Sequence, residues 1–324
     1  MKISKFLFCL SYAGVILSAS DPVEGLPWFT GPLLTPSPNV IPKGHVNFEP
    51  YFVYSNTNGF YDNDGNRQSQ VSLIQWYEQF PLQLGIADNL EFDIIPSVYT
   101  NKKSGKTSSN FADTGVGLFY QVYSSDNLYP SIKMGVRVTF PTGKYTDADP
   151  KKAGIDITGG GAFLTTLTFC IGKAYHIYDD HWLNFRSFLS YTYGFQTHVE
   201  GFNTYGGGFG CYGEIYPGNL FVWLTGFEYS LTRNWALAFD VSFFQQNKIR
   251  FSGNPGTYLP VTPELPNPPV ANIGAPSGWQ LSLAPAIEYN FNEHWGVIAG
   301  PWFTVAGKNT NAFITGMLAI NIFY

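Results

Sequence analysis

Apolar and polar residues alternate along most of this chain. In 128–140, Ile132, Met134, Val136, Val138 and Phe140 share one face, and Ser131, Lys133, Gly135, Arg137 and Thr139 share the other. In 182–195, Leu183, Phe185, Leu189, Tyr191 and Tyr193 alternate with Asn184, Arg186, Ser190 and Thr192. In 235–244, Trp235, Leu237, Phe239, Val241 and Phe243 alternate with Ala236, Ala238, Asp240 and Ser242. In 278–291 the polar face carries Gln280, Ser282, Glu288 and Asn290. A period of two predicts β-strands with two unlike faces. Beyond the first 20 residues no apolar run approaches the ~18 residues of a membrane helix.

The pattern predicts about twelve strands, at 44–55, 69–86, 89–99, 112–124, 128–141, 158–173, 182–195, 218–231, 235–251, 277–291, 295–305 and 311–324. Most are longer than the ~5–6 residues of soluble sheets, and they reach the ~9–11 that a tilted strand needs to cross a bilayer. Five phrases repeat a polar pair followed by Leu or Trp: 86–94, 124–132, 178–186, 230–239 and 290–299. The polar residues suit tight turns. Leu90, Leu128, Trp182, Trp235 and Trp295 then open the next strand at the membrane boundary, and Trp182, Trp235 and Trp295 are expected to form a periplasmic aromatic girdle. Longer polar segments lie between these turns, at 55–68, 100–111, 141–157, 196–217 and 252–277, whereas 306–311 is short. Short turns at one end and long loops at the other predict an all-β fold, a transmembrane antiparallel up-and-down β-barrel of about twelve strands in the cell outer membrane. A soluble β-sandwich accounts for the alternation but not for this asymmetry. The chain ends in the alternating stretch 318–324, closing on Tyr324, which resembles the C-terminal strand read by the barrel-assembly machinery.

Composition narrows the picture. Charged residues make up 13% and aromatics 18%, with mean hydropathy −0.05. That suits strands with one greasy face rather than membrane helices. Lys2 and Lys5, the apolar stretch 6–17 and Ser18-Ala19-Ser20 form a cleavable signal peptide over 1–20. The segment 21–43 is a Pro-rich leader, either a periplasmic tail or a plug, and 44–324 is the barrel. Cleavage removes two lysines and no acid, which takes the formal net charge from −5 to −7 and argues against nucleic acid as a partner. Cys170 and Cys211 do not make a disulfide framework, and whether they pair is open.

The polar face must line the lumen. It carries Glu91, Asp93, Lys133, Arg137, Arg186, Glu228, Asp240 and Glu288, all near short turns, so they are expected to ring the periplasmic half. Two readings stand: charges that pair and glue a filled barrel shut, or an electrostatic constriction that selects solutes. Twelve strands lie between the ~8 that leave a filled interior and the 16–18 that leave an aqueous channel. Glu78 falls on the lipid face of its strand, which points to a bulge or register shift there. Loop 252–277, with prolines at 255, 260, 263, 266, 268, 269 and 276, is either a lid or a solvated loop.

Other motifs point to no chemistry. The stretch 208–213 matches G-x-G-x-x-G without the strand and helix a dinucleotide site needs. The stretch 62–66 imitates a calcium loop, but its glycine is at the fourth position and the twelfth is Leu73. A lipid-modifying enzyme would need a Ser-His pair at lipid depth, and His45, His176, His181, His198 and His294 supply none. No catalytic residue, metal or cofactor is expected.

Four stretches carry a family resemblance: 31–54, 80–98, 113–123 and 130–145. Their order is a Pro-rich leader with Gly44-His45, a hairpin around Gly85–Phe92, Asp113-Thr114-Gly115, and a strand ending in Pro141-Thr142-Gly143. This resembles the outer-membrane proteins of the meta-pathway of phenol degradation, a transporter-like barrel family, best over 31–145. The resemblance implies an outer-membrane channel for small, often hydrophobic or aromatic, solutes in contact with lipid and lipopolysaccharide, and supplies no residue roles. The alternative is a non-conducting structural or surface-interaction barrel acting through its loops.

Overall fold

The computed structural model describes residues 27–125 and 128–324, so the signal peptide expected over 1–20 and residues 21–26 lie outside the described residues. Sixteen strand segments form one sheet that closes on itself. Four strands are each broken once, so the segments make twelve barrel strands, as the sequence predicts: β1 (46–61), β2 (67–87), β3 (90–103), β4 (106–123), β5 (Ser131–Phe140), β6 (Leu164–Tyr178), β7 (His181–Gly194), β8 (Leu220–Ser230), β9 (Trp235–Gln246), β10 (Gly278–Asn290), β11 (Trp295–Lys308) and β12 (Thr310–Phe323). Neighbours are antiparallel throughout, and β12 pairs with β1 to close the barrel.

Proline, which has no N–H for the ladder, accounts for three of the breaks. They fall at Pro50 in β1, Phe80-Pro81 in β2 and Pro96 in β3, with Ala112-Asp113 continuing the line in β4. Carbonyls still bridge this line: Glu49 N–H donates to Pro81 O at 3.0 Å, Phe80 N–H to Pro96 O at 3.0 Å and Ala112 N–H to Ser97 O at 2.9 Å. Glu78 remains on the outward face, opposite Phe52 and Val98. The irregularity expected near it occurs two residues later and leaves its direction unchanged.

The short turns lie at 88–89, 179–180, 231–234 and 291–294, with the connection between β4 and β5 at the same end. The opposite end differs from expectation in two places. The stretch 100–111 is a hairpin, with Lys103 opposite Lys106 and only Ser104-Gly105 at its tip. Likewise 55–61 belongs to β1, with a loop of 62–66. Both were expected as loops because a strand that rises above the bilayer is polar on both faces and loses its alternation. The Asp62 carboxylate organises the 62–66 turn by accepting from Asp64 N–H, Asn66 N–H and Gln68 Nε2, each at 2.9 Å. Cys170, in β6, and Cys211, in an outer loop, are buried free thiols.

Outward side chains form an exposed apolar band that includes Phe52, Leu118, Met134, Val136, Leu189, Phe239, Ile287, Ile314 and Leu318. Such a continuous surface is one that lipid covers. If 97–111 is wall rather than loop, its amides will exchange slowly. Hydrogen–deuterium exchange in detergent should protect Thr100–Lys102 and Thr107–Ser109 like the other strands, while the Pro-rich tip around 259–268 exchanges within seconds. Equal, fast exchange in both would contradict the hairpin.

Candidate functional site: the lumen and its inner belt

The leader enters the barrel. Residues 30–38, 40 and 41 are buried, and their contacts walk around the inside wall. Thr30 N–H donates to Glu288 on β10. Leu34 N–H and Thr35 N–H donate to Asp240 on β9 at 3.0 Å each, and Thr35 Oγ1 does so at 2.6 Å. Gln121 on β4 takes Val40 N–H at 2.7 Å and gives its amide to Pro38 O at 3.0 Å. Lys133 on β5 donates to Asn39 O at 2.9 Å, and Ile41 N–H donates to Glu91 on β3 at 2.7 Å. The segment is thus a circumferential belt inside the lumen, ending where Gly44 N–H meets Gly85 O at 2.8 Å and the chain enters β1. At Trp28 it is held by Arg233, whose guanidinium stands 4.3 Å from the ring centroid.

Wall glycines make room for it. A Cβ at Gly85 would overlap the Pro42 carbonyl, and one at Gly226 would crowd Pro32 and Thr35. Gly172 and Gly296 stand in the same way under Pro38 and Thr30.

All eight lumen charges identified from the sequence are buried and fall into two groups on opposite walls. On one side Lys133 pairs with Glu91 at 3.4 Å and Arg137 with Asp93 at 3.8 Å, and both cations lie over the Phe119 ring. On the other, Arg186 pairs with Glu228 at 3.2 Å, near Asp240 and Glu288. That side has three acids for one base, and belt N–H groups supply donors to Asp240 and Glu288. Asn184 donates to Glu228 at 2.7 Å and Asn290 to Glu288 at 2.5 Å. Residues not singled out from the sequence join them: Glu49, which accepts Tyr51 OH at 2.9 Å, and Gln83, Gln121 and Phe119. The odd-numbered run Asn47, Glu49, Tyr51, Val53, Ser55 all points inward, so the period of two carries through Pro50 and marks Glu49.

Above the belt an apolar cluster occupies part of the lumen, beside the inward polar side chains Thr166, Thr168, Ser190 and Thr192 of β6 and β7. Tyr51, Val53, Tyr77, Tyr99, Val222, Leu224, Phe244, Trp302, Phe313 and Met317 form one cluster, and Leu33 and Leu34 of the belt pack into it from below. Trp302 Nε1 donates to Ser282 Oγ at 2.8 Å, and the Tyr77 hydroxyl has no hydrogen-bond partner among the described residues.

The outer mouth is filled from the loop side. Residues 155–162 are buried, and Asn101 Nδ2 donates to Ile155 O at 3.0 Å. Burial would raise the Asp156 carboxyl, but Lys144 at 2.7 Å and Asp149 N–H at 3.0 Å outweigh it and hold it below the usual carboxylate range. Over this segment the strands Thr197–Glu200, Tyr212–Tyr216 and Arg250–Asn254 form a small sheet with its own core of Val199, Tyr205, Ile215, Ile249 and Ala275. Tyr205 OH donates to Gly160 O at 2.6 Å, which ties the sheet to the mouth. Part of the Pro-rich loop 252–277 belongs to this sheet through Arg250–Asn254, while Leu259, Val261 and Val270 remain exposed. The glycines of 208–213 lie in the same cap. At the short-turn end Trp235 packs on Tyr289 at 4.6 Å, Trp182 on His176 at 4.7 Å and Trp295 on Tyr324 at 6.5 Å.

Two expectations follow. A hydrogen bond to a charged group contributes about 1.5–3 kcal/mol. Asp240→Ala should therefore free the belt, and a reporter Leu34→Cys, unreactive in the parent barrel, should react with maleimide roughly 10–100-fold faster. An unchanged rate would mean that Asp240 does not hold the belt. In the cap, His198 lies 3.1 Å from Glu214 and 3.2 Å from Glu200. The bond to Glu214 raises its pKa, desolvation partly opposes the rise, and Glu200 adds to it. A raised pKa contributes stability below the unfolded value of ~6.5 that is lost as pH rises through the folded value. An NMR titration should find the His198 midpoint above ~6.5 and move it down in Glu214→Gln; a midpoint at the model-peptide value in the parent would refute the pairing.

No protein-family model and no curated protein sequence matches the chain. Among solved structures it is similar to the COG4313 outer membrane channel from Pseudomonas putida F1, with TM-score 0.65 and 14% identity over 88% of this chain and 97% of that one. It is less similar to the NanC porin, with TM-score 0.43 and 10% identity over 85% and 98%, and to the CymD monoaromatic hydrocarbon channel, with TM-score 0.40 and 10% identity over 88% and 89%. The chain has the fold of an outer-membrane β-barrel, and the outer membrane is the location that this fold and its exposed apolar band specify.

Proposed function

We propose that this barrel is a gated outer-membrane channel for small apolar or aromatic solutes. The apolar layer in the middle of the lumen carries the reading. Barrel interiors are ordinarily polar, and a structural plug of water-soluble type needs no cluster of Tyr51, Tyr77, Tyr99, Phe244, Trp302 and Phe313. Such a layer lowers the free energy of an apolar solute and raises that of an ion. The Tyr77 hydroxyl offers one hydrogen bond to a solute with a polar substituent. The belt is the gate. With it displaced, Glu91, Asp93, Lys133, Arg137, Arg186, Glu228, Asp240 and Glu288 become the charged constriction through which solutes leave toward the periplasm. The similarity to an outer-membrane channel at full barrel length supports this reading over an enzyme.

The test is conductance and solute flux of the folded mature chain in planar bilayers and liposomes. The parent should conduct in brief openings. Deletion of 28–41, and separately Asp240→Ala, should raise the open fraction at least ~10-fold, the effect of losing one such bond. Arg137→Ala should shift ion selectivity toward cations. Trp302→Ala should change the flux of an aromatic probe more than that of a sugar of similar size. If every one of these variants folds and stays silent to ions and solutes, the lumen is a permanent seal and the loops carry the function.

A further inference from the structure

The buried charges on β7 to β10 are short of cations. Three acids, Glu228, Asp240 and Glu288, stand there with one base, Arg186. Asp240 is nonetheless complete, because its two oxygens accept Leu34 N–H, Thr35 N–H and the Thr35 hydroxyl. Glu228 and Glu288 are only half complete. Glu228 Oε2 accepts Asn184 at 2.7 Å and pairs with Arg186, while Oε1 has no hydrogen-bond partner among the described residues. Glu288 Oε1 accepts Asn290 at 2.5 Å and the Thr30 N–H, while Oε2 has no partner there either. The Thr30 hydroxyl is buried and equally bare.

These bare oxygens come together. Across the ladders of β9, Glu228 is opposite Ala238 and Glu288 is opposite Ala236. Both alanines are buried on the lumen side. Their small side chains let the two carboxyl groups, from the strands flanking β9, meet over it within hydrogen-bonding reach. Thr30 lies over the same place. Its hydroxyl stands beside Glu288, and Gly296 leaves room for its methyl. Two carboxylates in contact away from water repel strongly unless positive charge sits between them. Arg186 offsets one of the three negative charges, which leaves a deficit of two.

We propose that Glu228, Glu288 and the Thr30 hydroxyl hold a hard divalent cation of the Ca2+ type between β8, β10 and the belt. Donors that are all oxygen select such an ion over a soft one. Its two charges match the deficit. No group of three or more His, Cys, Asp or Glu side chains could surround a metal among the described residues, so the carboxylate pair, the hydroxyl and water make up the shell. A shared proton also joins two carboxyl groups, but it supplies one charge and asks nothing of Thr30. The ion pins the start of the belt to the wall. Its part in regulation rests on the belt being a gate; the site itself rests on the buried acids alone.

The test is calorimetric titration of the folded mature chain, stripped with EDTA in neutral detergent, with CaCl2. It should show a saturable site with Kd below ~1 mM, the weak end for extracellular Ca2+ modules. Glu288→Gln keeps the shape and removes the charge. It should weaken binding at least ~10-fold, since even a partner outside the metal's own shell is worth ~10–100-fold. Its heat-modifiable band on a gel reports that the barrel has folded. Thr30→Val lies outside the strand ladder, leaves the wall untouched and should weaken binding in the same direction. The double variant E264Q/E293Q removes two exposed acids and should change nothing. At Ca2+ about 100 times its Kd, exchange of the Thr30 amide should slow by up to ~100-fold if lifting the belt empties the site. No saturable binding below ~1 mM, undiminished binding in both Glu288→Gln and Thr30→Val, or an equal loss in E264Q/E293Q would each overturn the site. A silent barrel that binds Ca2+ keeps the site and loses the gate, whereas a conducting barrel that does not bind it loses only the site.

Discussion

Burying a carboxylate costs far more than burying an apolar group unless donors replace its water. The lumen of this barrel contains Glu49, Glu91, Asp93, Glu228, Asp240 and Glu288, all fully buried. Three cations cannot satisfy all of them, and the belt makes up part of the difference with backbone N–H groups placed on Glu91, Asp240 and Glu288. Wall and belt therefore need each other. Without the belt these acids face water in an open lumen, and without the acids the belt has few partners for its own amides.

The belt is built to be held lightly. Five of residues 27–42 are proline, at 27, 32, 36, 38 and 42. Proline removes donors that would otherwise need partners and lowers the entropy lost when the segment is ordered. What remains is a small number of hydrogen bonds, each contributing only a few kcal/mol at most. Glycines at the wall positions beneath it let the backbone approach closely without filling the lumen with side chains. A seal of this kind can move without disturbing the twelve-strand ladder.

Three layers follow along the lumen, and each suits a different physical demand. The charged layer near the short turns seats the belt. The aromatic layer above it is continuous with Leu33 and Leu34, so lifting the belt changes the floor of the apolar chamber directly. The mouth is closed by 155–162 and the small sheet, whose core is separate from that of the barrel. Separate cores permit the two closures to open independently.

The sequence by itself determined the barrel. Its period of two depends only on neighbouring residues facing opposite sides, and a bilayer enforces that rule along every spanning strand. The same rule located the strand ends at the repeated turns and put all eight charges on one face. It lost the strand end 55–61 and the hairpin 100–111, because above the membrane both faces meet water and the alternation disappears. Only the tertiary structure decided where the leader goes. A Pro-rich stretch has no period, and its place is set by contacts with β2, β3, β4, β5, β9 and β10, far apart in the chain. Glu49, Gln121 and Gly226 acquire their roles in the same way. A charge on the inner face is legible locally, but what satisfies it depends on which distant amide reaches it.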